Sequence, residues 1–388
     1  MSLTTRFGLV LMAMSLAGCA NYSGLNTEGV SLQAQSLQAG QSLNGVTLSP
    51  AAWPKSDWWT SLGDPQLDGL IREALHDSPD MQIASARAHQ ASAAAGAADA
   101  ARMPTLDASA GIRRERLAQY QDPTLQGDRY DTMRSIGATF NYTFDLWGGQ
   151  RDAWEAALGQ ARAAQIDQQA AQLTLAADVA RAYSNLGQAY IVHDLASEDL
   201  KRTQQLLSLS QRRLSSGIDS LYQYQQNQSL EASSQASLID AEKNLQSAKI
   251  ALAVLLGKGP DRANDIVRPQ ILKPGAVALP SVLPAELLGR RPDLVAARWR
   301  VEAASKNIDA SKTRFYPNLN LSAAAGAESL LGDAMFGSAS RFFNIAPTIS
   351  VPIFDGGRLR ADLDSRDADY DLAVAQYNKS LVKALGDI

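Results

Sequence analysis

Two periods of hydrophobicity run along the chain, one suited to strands and one to helices. From residue 136 to 146, Ile136, Ala138, Phe140, Tyr142, Phe144 and Leu146 alternate with Gly137, Thr139, Asn141, Thr143 and Asp145. A period of two sustained over that length predicts a strand with one apolar and one polar face. The pattern returns later, where Phe343, Ile345, Ile349, Val351 and Ile353 alternate with Asn344, Ala346, Thr348 and Ser350, and Leu319 and Leu321 with Asn318, Asn320 and Ser322. Strands are predicted at about 105–116, 133–146, 318–327 and 342–354. Two architectures fit them. One is a soluble sheet with one wet face; the other is a membrane barrel whose apolar positions meet lipid while Asn, Thr and Ser line a watery lumen.

The helical signal lies between the strand pairs. No proline occurs from Thr124 to Gly259, and Arg151 to Leu214 is rich in Ala, Gln and Leu, interrupted only by Gly159 and Gly187. One helix over that stretch would be ~95 Å long at a rise of 1.5 Å per residue. Ser215-Ser216-Gly217 supplies a turn, and a second helix is predicted from about Asp219 to Leu256, ended by Gly257. Apolar residues at spacings of three and four (Leu173, Ala176, Val179, Tyr183, Leu186, Tyr190) predict an antiparallel coiled hairpin.

The chain also repeats itself. Residues 79–109 laid over 292–322, an offset of 213, give 10 identities in 31 positions without a gap. Leu146-Trp147-Gly148-Gly149 likewise answers Phe354-Asp355-Gly356-Gly357. The implied layout is a first repeat at 58–257, a connector at 258–284 containing Pro260, Pro269, Pro274, Pro280 and Pro284, and a second repeat at 285–388. The same offset puts the second hairpin's turn near residue 430 and the end of a complete second unit near 470. The expectation is therefore either a piece of a longer protein or a product without its second hairpin, the latter failing as a pump component.

Compartment is read from the first twenty residues. Arg6 precedes a mostly apolar run, Phe7–Ala17, too short for a membrane span of ~20 residues and suited to a secretory signal. The run ends Leu16-Ala17-Gly18-Cys19, and Cys19 is the only cysteine of the chain. This string is similar to a bacterial lipobox, in which cleavage falls between Gly18 and Cys19 and the thiol carries lipid; the plainer reading is an ordinary cysteine beside a cleavage site. On the lipobox reading, residues 1–18 are the signal peptide and 19–57 a lipidated, extended segment. Ala20 in place of Asp implies, by the same resemblance, sorting to the outer membrane.

Composition removes most other functions. The net charge of −4 lacks the basic footprint of a nucleic-acid binder. One Cys and three scattered His (His76, His89, His193) make neither a disulfide framework nor a zinc site. Gly148-Gly149 and Gly356-Gly357 lack the phosphate-loop pattern, and no nucleophile–base pair stands out, so no catalytic, cofactor or metal site is expected and the chain is not read as an enzyme. Arg113, Arg114, Glu115 and Arg116 read as a solvated loop at the first hairpin.

Longer strings carry a family resemblance. Trp58-Trp59, Asp64-Pro65-Gln66-Leu67 and Ser78-Pro79-Asp80, then Leu288-Gly289-Arg290-Arg291-Pro292-Asp293-Leu294, Phe315-Tyr316-Pro317-Asn318-Leu319 and Pro352-Ile353-Phe354-Asp355-Gly356-Gly357-Arg358 resemble TolC-type outer-membrane factors of the NodT-like lipoprotein branch. The resemblance implies a mainly α fold with membrane β: a homotrimeric twelve-stranded barrel, four strands per protomer, continuous with a periplasmic helical barrel. It implies a passive exit duct of a tripartite efflux pump for drugs or other small toxic molecules. The partners would be a periplasmic membrane-fusion adaptor, an inner-membrane pump and outer-membrane lipid. It also implies that the adaptor meets the hairpin turn Ser215, Ser216, Gly217, Ile218 and Asp219. A type I protein-secretion duct and a lipid-anchored coiled-coil structural protein without a pore are the alternatives; the strand alternation speaks against the second.

Overall fold

A computed structural model describes residues 21–32, 48–49, 57–117, 129–270, 279–280, 291–330 and 335–387. Their main elements, in order, are α1 (Pro65–Asp77), α2 (Pro79–Ala100), β1 (Thr105–Leu117), β2 (Arg129–Phe144), α3 (Gly149–Ser215), α4 (Leu221–Leu255), α5 (Pro292–Thr313), β3 (Asn318–Ser329), β4 (Arg341–Ser350) and α6 (Arg358–Gly386). Helix, strand, strand, helix thus occurs twice, as α2-β1-β2-α3 and as α5-β3-β4-α6. No described helix is long and apolar enough to cross a membrane. Signal residues 1–18 and Cys19 lie outside the described residues.

Two compact units are formed. The first comprises residues 1–37, 89–163 and 294–388 and holds the antiparallel sheet, whose order is β1-β2-β3-β4. Its core gathers Ile308, Phe315, Leu359 and Leu363, with Tyr22, Leu25 and Tyr370 against them. Gly159 does not break α3. A Cβ there would stand 3.1 Å from the Cβ of Ala303, so the small residue lets α3 and α5 approach closely. The Arg162 guanidinium lies 4.6 Å over the ring of Trp299, and Lys306 bridges Asp152 and Glu155 across the same pair of helices.

The second unit, residues 38–88 and 164–293, is built on the α3–α4 hairpin. Asp64 caps α1, its Oδ1 accepting from the N–H groups of Gln66 and Leu67, and Pro65 opens the first turn. The spacing of Leu67, Leu70, Ile71 and Ala74 gives α1 one buried stripe. It packs in a core with Val179, Tyr183, Leu186, Leu252, Leu256 and Ile266. Along α4 the buried positions Ser234, Ala241, Leu245 and Leu252 are spaced by seven, four and seven, the seam expected of a coiled hairpin. Leu173, assigned to that seam by its spacing, is largely exposed; Leu200, Thr203 and Ser210 are the buried positions farther along α3.

Candidate functional site: a two-faced sheet and a helical turn

Strand pairing assembles the alternation of each strand into two faces. Leu106 pairs with Phe140, Phe140 with Ala323 and Ala323 with Ile345. Rows on the same side continue as Ala108-Ala138-Ala325-Phe343, Tyr142-Leu321-Pro347 and Phe144-Leu319-Ile349. The even-numbered positions of β2 from Ile136 to Phe144 therefore share one face with their neighbours on every strand, and that face is uncharged from Ala138 to Phe144. The opposite face carries Thr105-Asn141-Ser322-Ala346, Asp107-Thr139-Ala324-Asn344 and Thr143-Asn320-Thr348. The apolar face is bare in the single chain: Phe343 is 83% exposed, Ile112 74% and Leu106 73%. Burying such side chains contributes roughly 1.5–3 kcal/mol each, so a face left this open calls for a covering medium. Strands β1 and β4 are the two edges of the sheet.

The strand boundaries differ from the pattern-based ones for local reasons. β2 ends at Phe144 because Asp145 turns to the next helix, its carboxylate accepting from the N–H groups of Gln150 and Arg151. Asp355 does the same for α6, accepting from Gly357 and Leu359. The Leu359 N–H bond, with that of Gly357 and the nearby Arg358 charge, holds the Asp355 carboxyl below its ordinary pKa. Arg113, Arg114, Glu115 and Arg116 are not loop residues: they belong to β1, and the strand pleat sends alternate members to opposite faces.

Aromatic residues gather where strands meet helices. Trp147 stacks on Tyr316 at 4.9 Å, and its indole N–H donates to the Pro317 carbonyl. Tyr22 packs edge-on to Phe315 and shares a hydrogen bond with the Tyr316 hydroxyl. From there the segment 21–32 follows α6. Arg360 donates to the carbonyl of Asn21, Asp371 accepts from the N–H groups of Glu28 and Gly29, and Asn378 bridges Val30 and Leu32. Position-by-position reading missed this strap; Arg360, Asp371 and Asn378 lie about three and two helical turns apart on one face of α6, which is the signal that could have found it.

The hairpin turn is exposed. Gly217 has φ +71°, and a Cβ there would meet nothing within 4 Å. The N–H groups of Ile218 and Asp219 donate to the Arg213 carbonyl, while the Arg213 guanidinium holds the Asp219 carboxylate. Ser215 and Ser216 hydroxyls donate to the Arg212 carbonyl, and Ser220 with Gln223 forms a capping box for α4. Ile218, Leu221 and Tyr222 are all exposed around it. In the second unit's core Tyr183 donates to Asp64 at 2.7 Å and accepts from Gln66 at 2.8 Å. Burial, and then the bond to Asp64, push its phenol pKa up. No sequence motif pointed to this pair, 119 residues apart. His76 pairs with Asp77 and His193 with Asp194, and no cluster of three or more metal-ligating residues occurs among the described residues.

Comparison with known proteins accounts for the arrangement. The outer membrane efflux protein family matches residues 70–258 and 283–388. A fusaric acid resistance protein of Burkholderia cepacia is 34% identical over 373 residues, covering 94% of this chain and 69% of that protein. A multidrug resistance outer membrane protein of Escherichia coli, MdtP, is 30% identical over 354 residues, covering 88% of this chain and 72% of its own length. Among solved structures, the outer membrane protein VceC of Vibrio cholerae superposes with a TM-score of 0.79 at 34% identity, over 87% of this chain and 80% of that one. The outer membrane channel CmeC of Campylobacter jejuni shares the fold, with a TM-score of 0.84 at 21% identity over 93% and 78% of the two chains.

Proposed function

The chain belongs to the outer membrane efflux protein family, and from that premise we propose that it is the outer-membrane exit duct of a tripartite efflux pump for drugs or other small toxic molecules. The observation that carries this reading is the sheet, with the uncharged rows of its apolar face, its Asn/Thr/Ser face and two open edges. In hydrocarbon each unpaired backbone group on such an edge costs several kcal/mol, and membrane barrels have at least about eight strands. Four strands do not close one. Pairing β4 of one copy with β1 of the next closes the sheet, and three copies give the twelve strands that the TolC-type resemblance implies. Transport through it is passive, the polar face acting as a water-filled wall.

The remaining assignments extend this reading. The two helix-strand-strand-helix blocks are the halves of a duplication, with a first repeat at 58–257, a connector at 258–284 and a second repeat from 285. Residues 1–18 are a signal peptide and Cys19 carries the lipid that anchors the chain in the outer membrane. The position of Asn21 and Tyr22 beside the aromatic cluster at the helix-side end of the sheet supports this, since a lipid two residues away reaches the apolar face from its rim. The exposed turn Ser215–Asp219 with Ile218, Leu221 and Tyr222 meets the periplasmic adaptor, which links the duct to the inner-membrane pump.

Single cysteines along 136–144 test the duct, in the assembled protein with a membrane-impermeant thiol reagent offered through the channel. Odd positions are expected to react and even ones to be protected. Reaction at the even positions instead would reject the assignment of faces and with it the barrel.

A further inference from the structure

Above the four uncharged rows of the apolar face, towards the β1–β2 and β3–β4 connections, the chemistry changes abruptly. The next row on that face is Ala110-Ile136-Ala327-Arg341, then Ile112-Arg134-Ser329, then Arg114-Thr132, then Arg116-Tyr130. Four successive rows each contain an arginine, and no Asp or Glu stands on this face among the described residues. The carboxylates of the same level, Glu115, Asp131 and Glu328, all fall on the opposite face, where Glu115 also pairs with Arg113 at 3.4 Å. Three of these arginines, Arg114, Arg134 and Arg341, are presented rather than neutralised. Arg341 and Arg114 are exposed, neither Arg134 nor Arg341 forms an ion pair with a described carboxylate, and Arg114 lies 5.6 Å over the Tyr130 ring. Surface charge kept for solubility mixes both signs. Here the signs are sorted by face.

Height fixes what the cations meet. Rows on one face are about 7 Å apart along the strands, so the four uncharged rows from Phe144 to Ala138 span about 21 Å along the strand and about 16 Å once tilted. The exposed Leu146, Val351 and Ile353 extend the apolar band at the helix-side end towards the roughly 25 Å of hydrocarbon. The arginine rows then stand at the headgroup level of the leaflet remote from the helices. We propose that Arg114, Arg134 and Arg341 form a binding surface for the phosphate groups of the phosphorylated glycolipid that makes the outer leaflet of the bacterial outer membrane. This rests on the barrel reading above. Guanidinium groups suit the role because their planar fork donates two parallel hydrogen bonds to a phosphate, and they keep their charge at every physiological pH. Tyr130 gives the patch an aromatic member at the interface, where such rings sit well.

The test uses the full chain, purified in detergent, titrated with the phosphorylated glycolipid and with the same glycolipid after enzymatic removal of its phosphates. Wild type is expected to prefer the phosphorylated form by about tenfold or more, a difference of roughly 1.4 kcal/mol or greater. The R114Q/R134Q/R341Q variant is expected to lose that preference, while R113Q, altered on the opposite face, keeps it. Equal binding of the two lipid forms by wild type overturns the proposal without any variant, and so does a triple variant that binds as wild type or an R113Q variant that loses as much. A spin label attached through Ile345→Cys, in the Cys19→Ser background in vesicles, separates the underlying reading. Relaxation by lipid-dissolved oxygen upholds the barrel whatever the glycolipid result. Relaxation by a water-soluble nickel chelate instead removes both.

Discussion

Gly326 shows how much a single position decides in this sheet. It faces Gly137 across the β2–β3 pair, and a Cβ on it would stand 2.3 Å from the Ile136 carbonyl oxygen and 2.7 Å from the Gly137 Cα. Backbone, not a flexible side chain, fills the space, so Gly326→Ala forces the strands apart. A cost of about 1–3 kcal/mol is expected, as for other overpacked sites, read as a lower melting temperature of the assembled protein. Gly137→Ala, whose nearest neighbour would be at 3.1 Å, should be milder. Gly217 is the opposite case: nothing crowds it, but its φ of +71° suits glycine. Gly217→Trp is expected to abolish crosslinking to the adaptor while leaving assembly intact, and wild-type crosslinking would remove the turn as the docking point.

At the scale of elements, two aspartates decide where strands become helices. Asp145 and Asp355 each accept N–H groups of the first turn that follows, and their side chains take the place of the backbone partners those groups lack. Because the Asp355 pKa is depressed in the folded chain, its contribution is present above the ordinary carboxylate range and lost as pH falls through the lowered value. Asp355→Ala should therefore melt earlier than wild type at neutral pH, and the gap should close on acidification below about pH 4. A gap unchanged at low pH would mean that the carboxylate's charge plays no part. The strap 21–32 is a second element-level device. It has no regular secondary structure and is held by side chains of α6 that satisfy its backbone groups one by one.

For the whole molecule, the exposed apolar residues set the problem. Beyond the sheet, Ile191, Val192, Leu195, Leu206 and Leu209 on α3 and Leu230 and Ile239 on α4 are uncovered in the single chain. On the proposed trimeric duct, lipid covers the first surface and neighbouring copies the second. The anchor belongs to this scale as well. Wild type is expected to incorporate labelled fatty acid and to fractionate with the outer membrane, and Cys19→Ser to lose the label; a Cys19→Ser protein labelled as fully as wild type would refute lipidation there. Several acyl chains at roughly 0.8 kcal/mol per buried methylene hold a chain firmly at a membrane, independently of whether its barrel has closed.

Much of this was written in the sequence, because the controlling interactions are local. Period two fixes the faces of a strand whatever it pairs with, a proline-free Ala/Gln/Leu stretch propagates as helix, and Pro65 behind Asp64 starts one. The family strings lie in these same segments, so mainly helical architecture and outer-membrane efflux were both legible. Other features depended on distant partners. Register alone set Leu106, Phe140, Ala323 and Ile345 side by side, and register sorted the apparent loop charges Arg113, Arg114, Glu115 and Arg116 onto two faces. Gly159 read as an interruption in sequence and proved to be a close approach, as is Gly326 in the sheet, since what replaces their side chains is another segment's methyl group or backbone. Tyr183 found Asp64 across 119 residues. One-dimensional pattern carries the direction in which a side chain points; only the folded chain supplies what it meets there.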